Sequence, residues 1–139
     1  MKYFTIKELC HSDTAKRLGI DNVPNEDVIA HLNVLVDNIL DPAREMLGSP
    51  IYVSSGYRQP TLNAIVGGDK NSQHMKGQAA DIYATDMRAL QGILAKMNYD
   101  QFITYEGYGG RLNFFHISFV DVSQNRHERF RKVTRRQNE

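Results

Sequence analysis

Ser72-Gln73-His74-Met75-Lys76-Gly77-Gln78-Ala79-Ala80-Asp81 and, further on, Phe115-His116-Ile117-Ser118-Phe119-Val120 are the two stretches that set the architecture of this chain. His74 and Asp81 are seven residues apart, which would place them on one face of a helix, but Gly77 and its polar neighbours argue against a continuous helix there. The pattern instead predicts a strand from Gln78 to Ala84. On that strand Gly77, Ala79 and Asp81 share one face, while Ala80 and Ile82 point into a core. Two small side chains beside the carboxylate then leave room for an ion and a substrate. The second stretch is richer in strand formers. Its alternation puts His116, Ser118 and Val120 on one face and Phe115, Ile117 and Phe119 on the other, so His116 sits on a well-anchored strand, a rigid mount for a ligand.

His74, Asp81 and His116 together make a three-ligand metal site. Two imidazole nitrogens and one carboxylate suit zinc, and three protein ligands leave the fourth tetrahedral position open, as a catalytic zinc requires. Each residue alone reads more plainly. A single strand histidine is commonly a hydrogen-bonded structural residue, and an aspartate opening a strand is commonly a turn or cap. Their joint occurrence, with Ser72 and the small-residue face, carries the metal reading.

The elements around these stretches are short. Thr5-x-x-Glu8 has the form of a capping box, and Ser12 or Thr14 can cap a second helix ending at Gly19. The longest helix follows Asn25, with Ile29, Leu32, Leu35, Val36, Ile39, Leu40, Ala43 and Met46 at helical spacing and Glu26 and Asp27 in the first turn. Pro42 should kink or break it, and Gly48 with Pro50 ends it. His31 in that helix reads as structural. Tyr52 to Ser54 is a short strand, Pro60 opens a small helix reaching Val66, and Gly67 to Asn71 is a loop. A helix from about Asp86 to Met97 faces Met87, Leu90, Ile93, Leu94 and Met97 inward, with Thr85 as its cap. The strand Gln101 to Tyr105 joins the His116 strand through a hairpin connection at Glu106 to Arg111. The outcome is a small α+β domain with a mostly antiparallel sheet flanked by helices.

Composition agrees with one core: 139 residues, 41% hydrophobic, net charge +1. The single cysteine, Cys10, excludes an internal disulfide and reads as a small apolar residue rather than a nucleophile. The start of the chain lacks the apolar run of a signal peptide, and no stretch is long enough to span a membrane. Synthesis and residence in the cytoplasm are expected unless something else releases the chain, and a monomer is expected. Arg126, Arg129, Arg131, Lys132, Arg135 and Arg136 make residues 126–139 a basic tail on a domain of residues 1–125. The expected state of that tail is solvated and partly disordered. Attraction to an anionic partner is the sharper reading. No recognised nucleic-acid motif or aromatic interleaving accompanies it, so nucleic acid is not expected.

The chain resembles the M15 metallopeptidases, the D-alanyl-D-alanine carboxypeptidases and related peptidoglycan endopeptidases that share a fold with the hedgehog signalling domain. The likeness runs through Ser54-Ser55-Gly56-Tyr57-Arg58-Gln59-Pro60, Leu62-Asn63, Val66-Gly67-Gly68, Ser72-x-His74-x-x-Gly77-x-Ala79-x-Asp81-Ile82, Phe115-His116-Ile117-Ser118 and Asn125-Arg126. Phe4 to Leu9 and Asn22-Val23-Pro24 resemble the short phage and prophage branch. The resemblance implies that His74, Asp81 and His116 bind Zn2+, and that Arg58 and Ser72 contact a carbonyl or carboxylate of a peptidoglycan peptide. Tyr57 reads as packing.

The match weakens at the proton carrier. Many relatives have an acid three residues before the last histidine or a histidine two before it, where this chain has Asn113 and Phe114. Neither can act as a general base. Glu106 is the nearest upstream carboxylate, phage relatives carry a glutamate in that neighbourhood, and the resemblance thus implies Glu106 as the catalytic proton carrier beside Arg58. Two functions follow as expectations. One is a zinc-dependent D,D-carboxypeptidase or endopeptidase of the phage lysin type. The other is a catalytically weakened zinc-binding module that binds cell wall or builds a phage particle.

Overall fold

Helix α1 (Ile6–Leu9) is capped by Thr5, whose side chain accepts from the Glu8 N–H, and α2 (Asp13–Leu18) by Ser12, which accepts from Ala15. The computed structural model describes residues 1–133. Helix α3 (Glu26–Leu35) begins at Asn25, whose side chain accepts from Val28. Pro42 does not break the helix that follows. A π segment (Val36–Leu40) intervenes, with the Asp41 N–H donating to the Val36 carbonyl, and α4 (Asp41–Leu47) continues with Pro42 in its first turn. The wider turn accommodates a ring that an α-helical interior would exclude. It also resets the buried face. Leu32, Leu35, Val36, Ile39, Leu40 and Ala43 are fully enclosed, but Met46 is exposed and Leu47 packs against the core in its place.

Five strands form one sheet in the order β1-β2-β4-β3-β5: β1 (Tyr52–Ser55), β2 (Ala79–Tyr83), β3 (Gln101–Glu106), β4 (Leu112–Ser118) and β5 (Glu128–Val133). All pairings are antiparallel except β3 with β5. Helix α5 (Pro60–Ile65) follows β1, and α6 (Met87–Ala95) follows β2. The cap of α6 is Asp86 rather than Thr85. Period-two alternation sorts the sheet into two faces. Ala80 and Ile82 of β2, Phe115 and Ile117 of β4 and Phe102 of β3 join the helices in the core. Fully burying a leucine such as Leu32 stabilises the fold enough that truncation to Ala costs about 2–5 kcal/mol. The opposite face carries Asp81, His116, Ile103 and Tyr105 and forms the floor of a cleft.

The basic C-terminal segment differs from the solvated tail expected of it. Glu128–Val133 is an edge strand, parallel to β3 from Gln101↔Glu128 to Glu106↔Val133. Its anchor is Asp100, a carboxylate only 1% exposed, which accepts from the Arg126 backbone N–H, Nε and Nη2. The Glu128 N–H donates to the Asp100 carbonyl. Arg135 and Arg136 lie outside the described residues. No helix among those described is long and apolar enough to cross a membrane.

Candidate metal centre

His74 sits on a 3-10 turn (Gln73–Lys76). Ser72 caps this turn, its Oγ accepting from the His74 N–H at 3.1 Å. Gly77 closes it with φ of 75°, in the left-handed region, and a Cβ there would lie 2.7 Å from the Val28 carbonyl oxygen. The small size expected to open space beside Asp81 thus serves another purpose at Gly77, which turns the chain tightly against α3. Ala79 alone keeps the expected place on the Asp81 face of β2. Asp81 and His116 are direct cross-strand partners of β2 and β4. Sheet register therefore brings the second and third ligand candidates side by side.

The candidate ligand atoms of His74, Asp81 and His116 all lie within 4.8 Å of one another. His116 Nδ1 is 3.1 Å and His74 Nε2 3.2 Å from the same oxygen, Asp81 Oδ1. The His74 Nδ1–H donates to the Gly56 carbonyl at 2.7 Å, which fixes the ring and, in the neutral form, turns the Nε2 lone pair toward Asp81. Two acceptors at that separation repel unless a cation lies between them. A metal ion satisfies this donor set, and two imidazoles with a carboxylate suit zinc. Gly56 is itself required by contact, since a Cβ would come 2.1 Å from the Leu9 carbonyl oxygen.

Electrostatics agree with a ligand set held ready. Burial alone would raise the Asp81 pKa, but when the rings are protonated the His74 charge and hydrogen bonds from both histidines outweigh it and hold the carboxyl well below its usual range; with neutral rings a metal ion would take the place of those protons. Burial pushes His116 down, against the opposing pull of Asp81, and favours the neutral, ligating imidazole.

Arg58 and Ser72 join the triad on the wall of one cleft of about 770 Å³, and Glu106 does not. The Arg58 N–H donates to the His74 carbonyl at 3.1 Å. Asn22 pins the surrounding turn: its Nδ2 donates to the Tyr57 and Cys10 carbonyls, and its Oδ1 accepts from the Gln59 N–H. Arg58 Nε is buried without a hydrogen-bond partner, a costly state for a charged donor that an incoming anion would relieve. Burial lowers the Arg58 pKa, with Asp81 and Tyr105 acting in the other direction. Among the described residues it makes no ion pair with a surface acid. Glu106 instead faces Arg131 Nη1 at 3.7 Å. Tyr57 is buried in the core, and burial pushes the Cys10 thiol up to about 11, consistent with packing roles for both.

Sequence reasoning missed part of the site. Gln73 Nε2 donates to Asp100 Oδ2 at 2.9 Å, so the turn bearing His74 and the anchor of β5 share one buried carboxylate. Tyr105 and Phe114 stack across β3 and β4, centroids 4.3 Å apart, on the cleft face. Phe130 and Lys132 of β5 extend that wall. Tyr105 and Phe114 could have been placed by strand alternation. The β5 residues could not, because the charges of 128–133 mask any alternation of polarity.

A family model described as Peptidase M15 matches residues 2–118. The chain belongs to the peptidase M15 family. A curated relative, the zinc D-Ala-D-Ala carboxypeptidase of Streptomyces albus G, is 48% identical over 46 residues, covering 32% of this chain and 18% of that protein. The chain thus matches less than a fifth of that relative's length. Strand β5 lies beyond the stretch that the M15 model matches.

Proposed function

We propose that this chain is a zinc peptidase that hydrolyses peptide bonds of bacterial peptidoglycan, as a D,D-carboxypeptidase or a phage-type endopeptidase. The observation that carries this reading is the convergence of His74 Nε2, Asp81 Oδ1 and His116 Nδ1 beside an open cleft that also holds Arg58. M15 membership supports it, as does the name of the Streptomyces relative. In this reading those three atoms hold Zn2+. Bound there, zinc supplies a nucleophilic water at neutral pH and polarises a carbonyl.

The remaining work falls to the chain's own side chains. Arg58, fixed by Asn22 and lacking a partner for Nε, donates to the carbonyl oxygen as charge builds on it, or to a terminal carboxylate. Ser72 Oγ already accepts from the His74 N–H, which leaves its O–H to donate to the peptide. Glu106 can carry protons only if it leaves Arg131 and turns into the cleft. That single observation favours a second reading, in which the chain keeps the zinc and the fold as a weakened wall-binding or phage structural module.

Amino-group release from purified peptidoglycan separates the two. The peptidase reading expects release by the zinc-loaded protein, loss with chelator and loss in His116→Ala. Zinc bound at one equivalent with no release would favour the binding module.

A further inference from the structure

The cleft has a wall that the metal centre does not use. Along β5, Arg129 and Arg131 point away from the cleft: the Arg129 guanidinium lies 5.1 Å from the centroid of the core ring Phe102, and Arg131 meets Glu106. Phe130 and Lys132 have the opposite parity and line the cleft. The parallel register sets Phe130 beside Ile103 and Lys132 beside Tyr105. The Lys132 ammonium stands 5.8 Å from the Tyr105 ring centroid, and that ring stacks on Phe114. The three aromatic side chains of Tyr105, Phe114 and Phe130 and one cation thus make a shelf adjoining His116, the β4 residue two positions beyond Phe114.

Charge accounting singles out Lys132. Arg126, also on the cleft wall, is committed to Asp100 and to Glu128. Among the described residues Lys132 makes no ion pair. The strand that presents it is tied down by the Asp100 anchor, so the ammonium is mounted on paired backbone rather than on a loose tail. Among the described residues, an unpaired cation over an aromatic platform, at the edge of a cleft whose other free cation is Arg58, matches a ligand with two separated anionic or carbonyl groups.

We infer that Phe130 and Lys132 form a second substrate subsite, in which Lys132 binds a carboxylate of the peptide remote from the scissile bond and Phe130 covers its apolar stem. This rests on the peptidase reading above, and the subsite is a property of this chain's β5 rather than of the stretch matched by the M15 model. Lys132 would act on substrate choice through binding, leaving the chemical step unchanged.

The test compares two synthetic D-Ala-D-Ala peptides that differ only in one side-chain group, a free carboxylate or its carboxamide. Wild-type protein should prefer the carboxylate by about tenfold in kcat/KM, through KM. Lys132→Met should bring the two peptides within about twofold at unchanged kcat, Lys132→Arg should keep the preference, and Lys132→Glu should reverse it. A preference that survives Lys132→Met overturns the subsite. If wild type cleaves neither peptide, backbone amide NMR of the zinc-loaded protein titrated with the carboxylate peptide decides. Shifts at residues 130–132 that vanish in Lys132→Met keep the subsite and remove the D,D-carboxypeptidase form of the peptidase reading. No shifts there overturn the subsite as well.

Discussion

His116 and Glu106 lie on the two strands of one hairpin, yet His116 meets its partners in the cleft and Glu106 meets Arg131 outside it. The difference begins with parity along β3, where Glu106 follows the cleft residue Tyr105 and so takes the other face. From Phe102↔Ile117 to Tyr105↔Phe114 the pairing is regular, and parity alone places Ile103, Tyr105, Phe114 and His116 on the cleft side. At the next step Glu106 pairs with Leu112, so Asn113 is the extra residue of a bulge. Beyond the bulge, sequence distance from His116 no longer reports which face a side chain takes. Motif positions inside a regular ladder can be trusted in a way that those across a bulge cannot.

The largest expected effect comes from the cleft side of this comparison. Arg58→Met should lower kcat/KM by about 10²–10³-fold, the scale for losing a donor to a developing oxyanion, with zinc retained at one equivalent. Loss of zinc in step with activity would make Arg58 a structural residue instead.

A middle-sized effect belongs to Asp100, which ties both His74's turn and β5 to the sheet. Asp100→Asn should cost about 1–3 kcal/mol in urea unfolding at neutral pH. Burial pushes the Asp100 pKa up, but the Arg126 hydrogen bonds pull it further down, so the net shift is downward. A depressed carboxylate contributes stability that is complete above its unfolded pKa of about 4 and lost as pH falls through the lower folded value. The wild type should therefore lose more stability than Asp100→Asn as pH drops below about 4, and equal losses would remove Asp100 from the account.

The smallest effect should be at the bulge. Glu106→Gln should leave turnover within about twofold, since Glu106 meets Arg131 outside the cleft rather than any group of the candidate metal centre. A drop of a hundredfold would mean that Glu106 enters the cleft during turnover, and would restore the role suggested by the resemblance.

Much of the architecture was legible because it follows from patterns with one period. The alternation at Phe115-His116-Ile117 and at Ala80-Asp81-Ile82 gave the strands and their faces, and Asn25, Ser12 and Thr5 marked helix starts by capping chemistry. The π segment was hidden because Pro42 signals a break, and nothing local shows that a wider turn can absorb it. Strand β5 was hidden because its pairing depends on Asp100 and Arg126, 26 residues apart, and its composition resembles a solvated tail. In the site, the three ligand candidates were readable from residue type and spacing. The orientation of His74 was not, since it depends on a backbone carbonyl at Gly56 that any residue would offer in the sequence.

The most direct measurement is zinc stoichiometry together with the zinc-edge X-ray absorption spectrum of the purified protein and of Asp81→Ala. One zinc per chain is expected in the wild type with only nitrogen and oxygen neighbours, including two imidazoles, and substoichiometric zinc in the variant. A wild type without tightly bound zinc, or a sulfur neighbour contributed by Cys10, would contradict it.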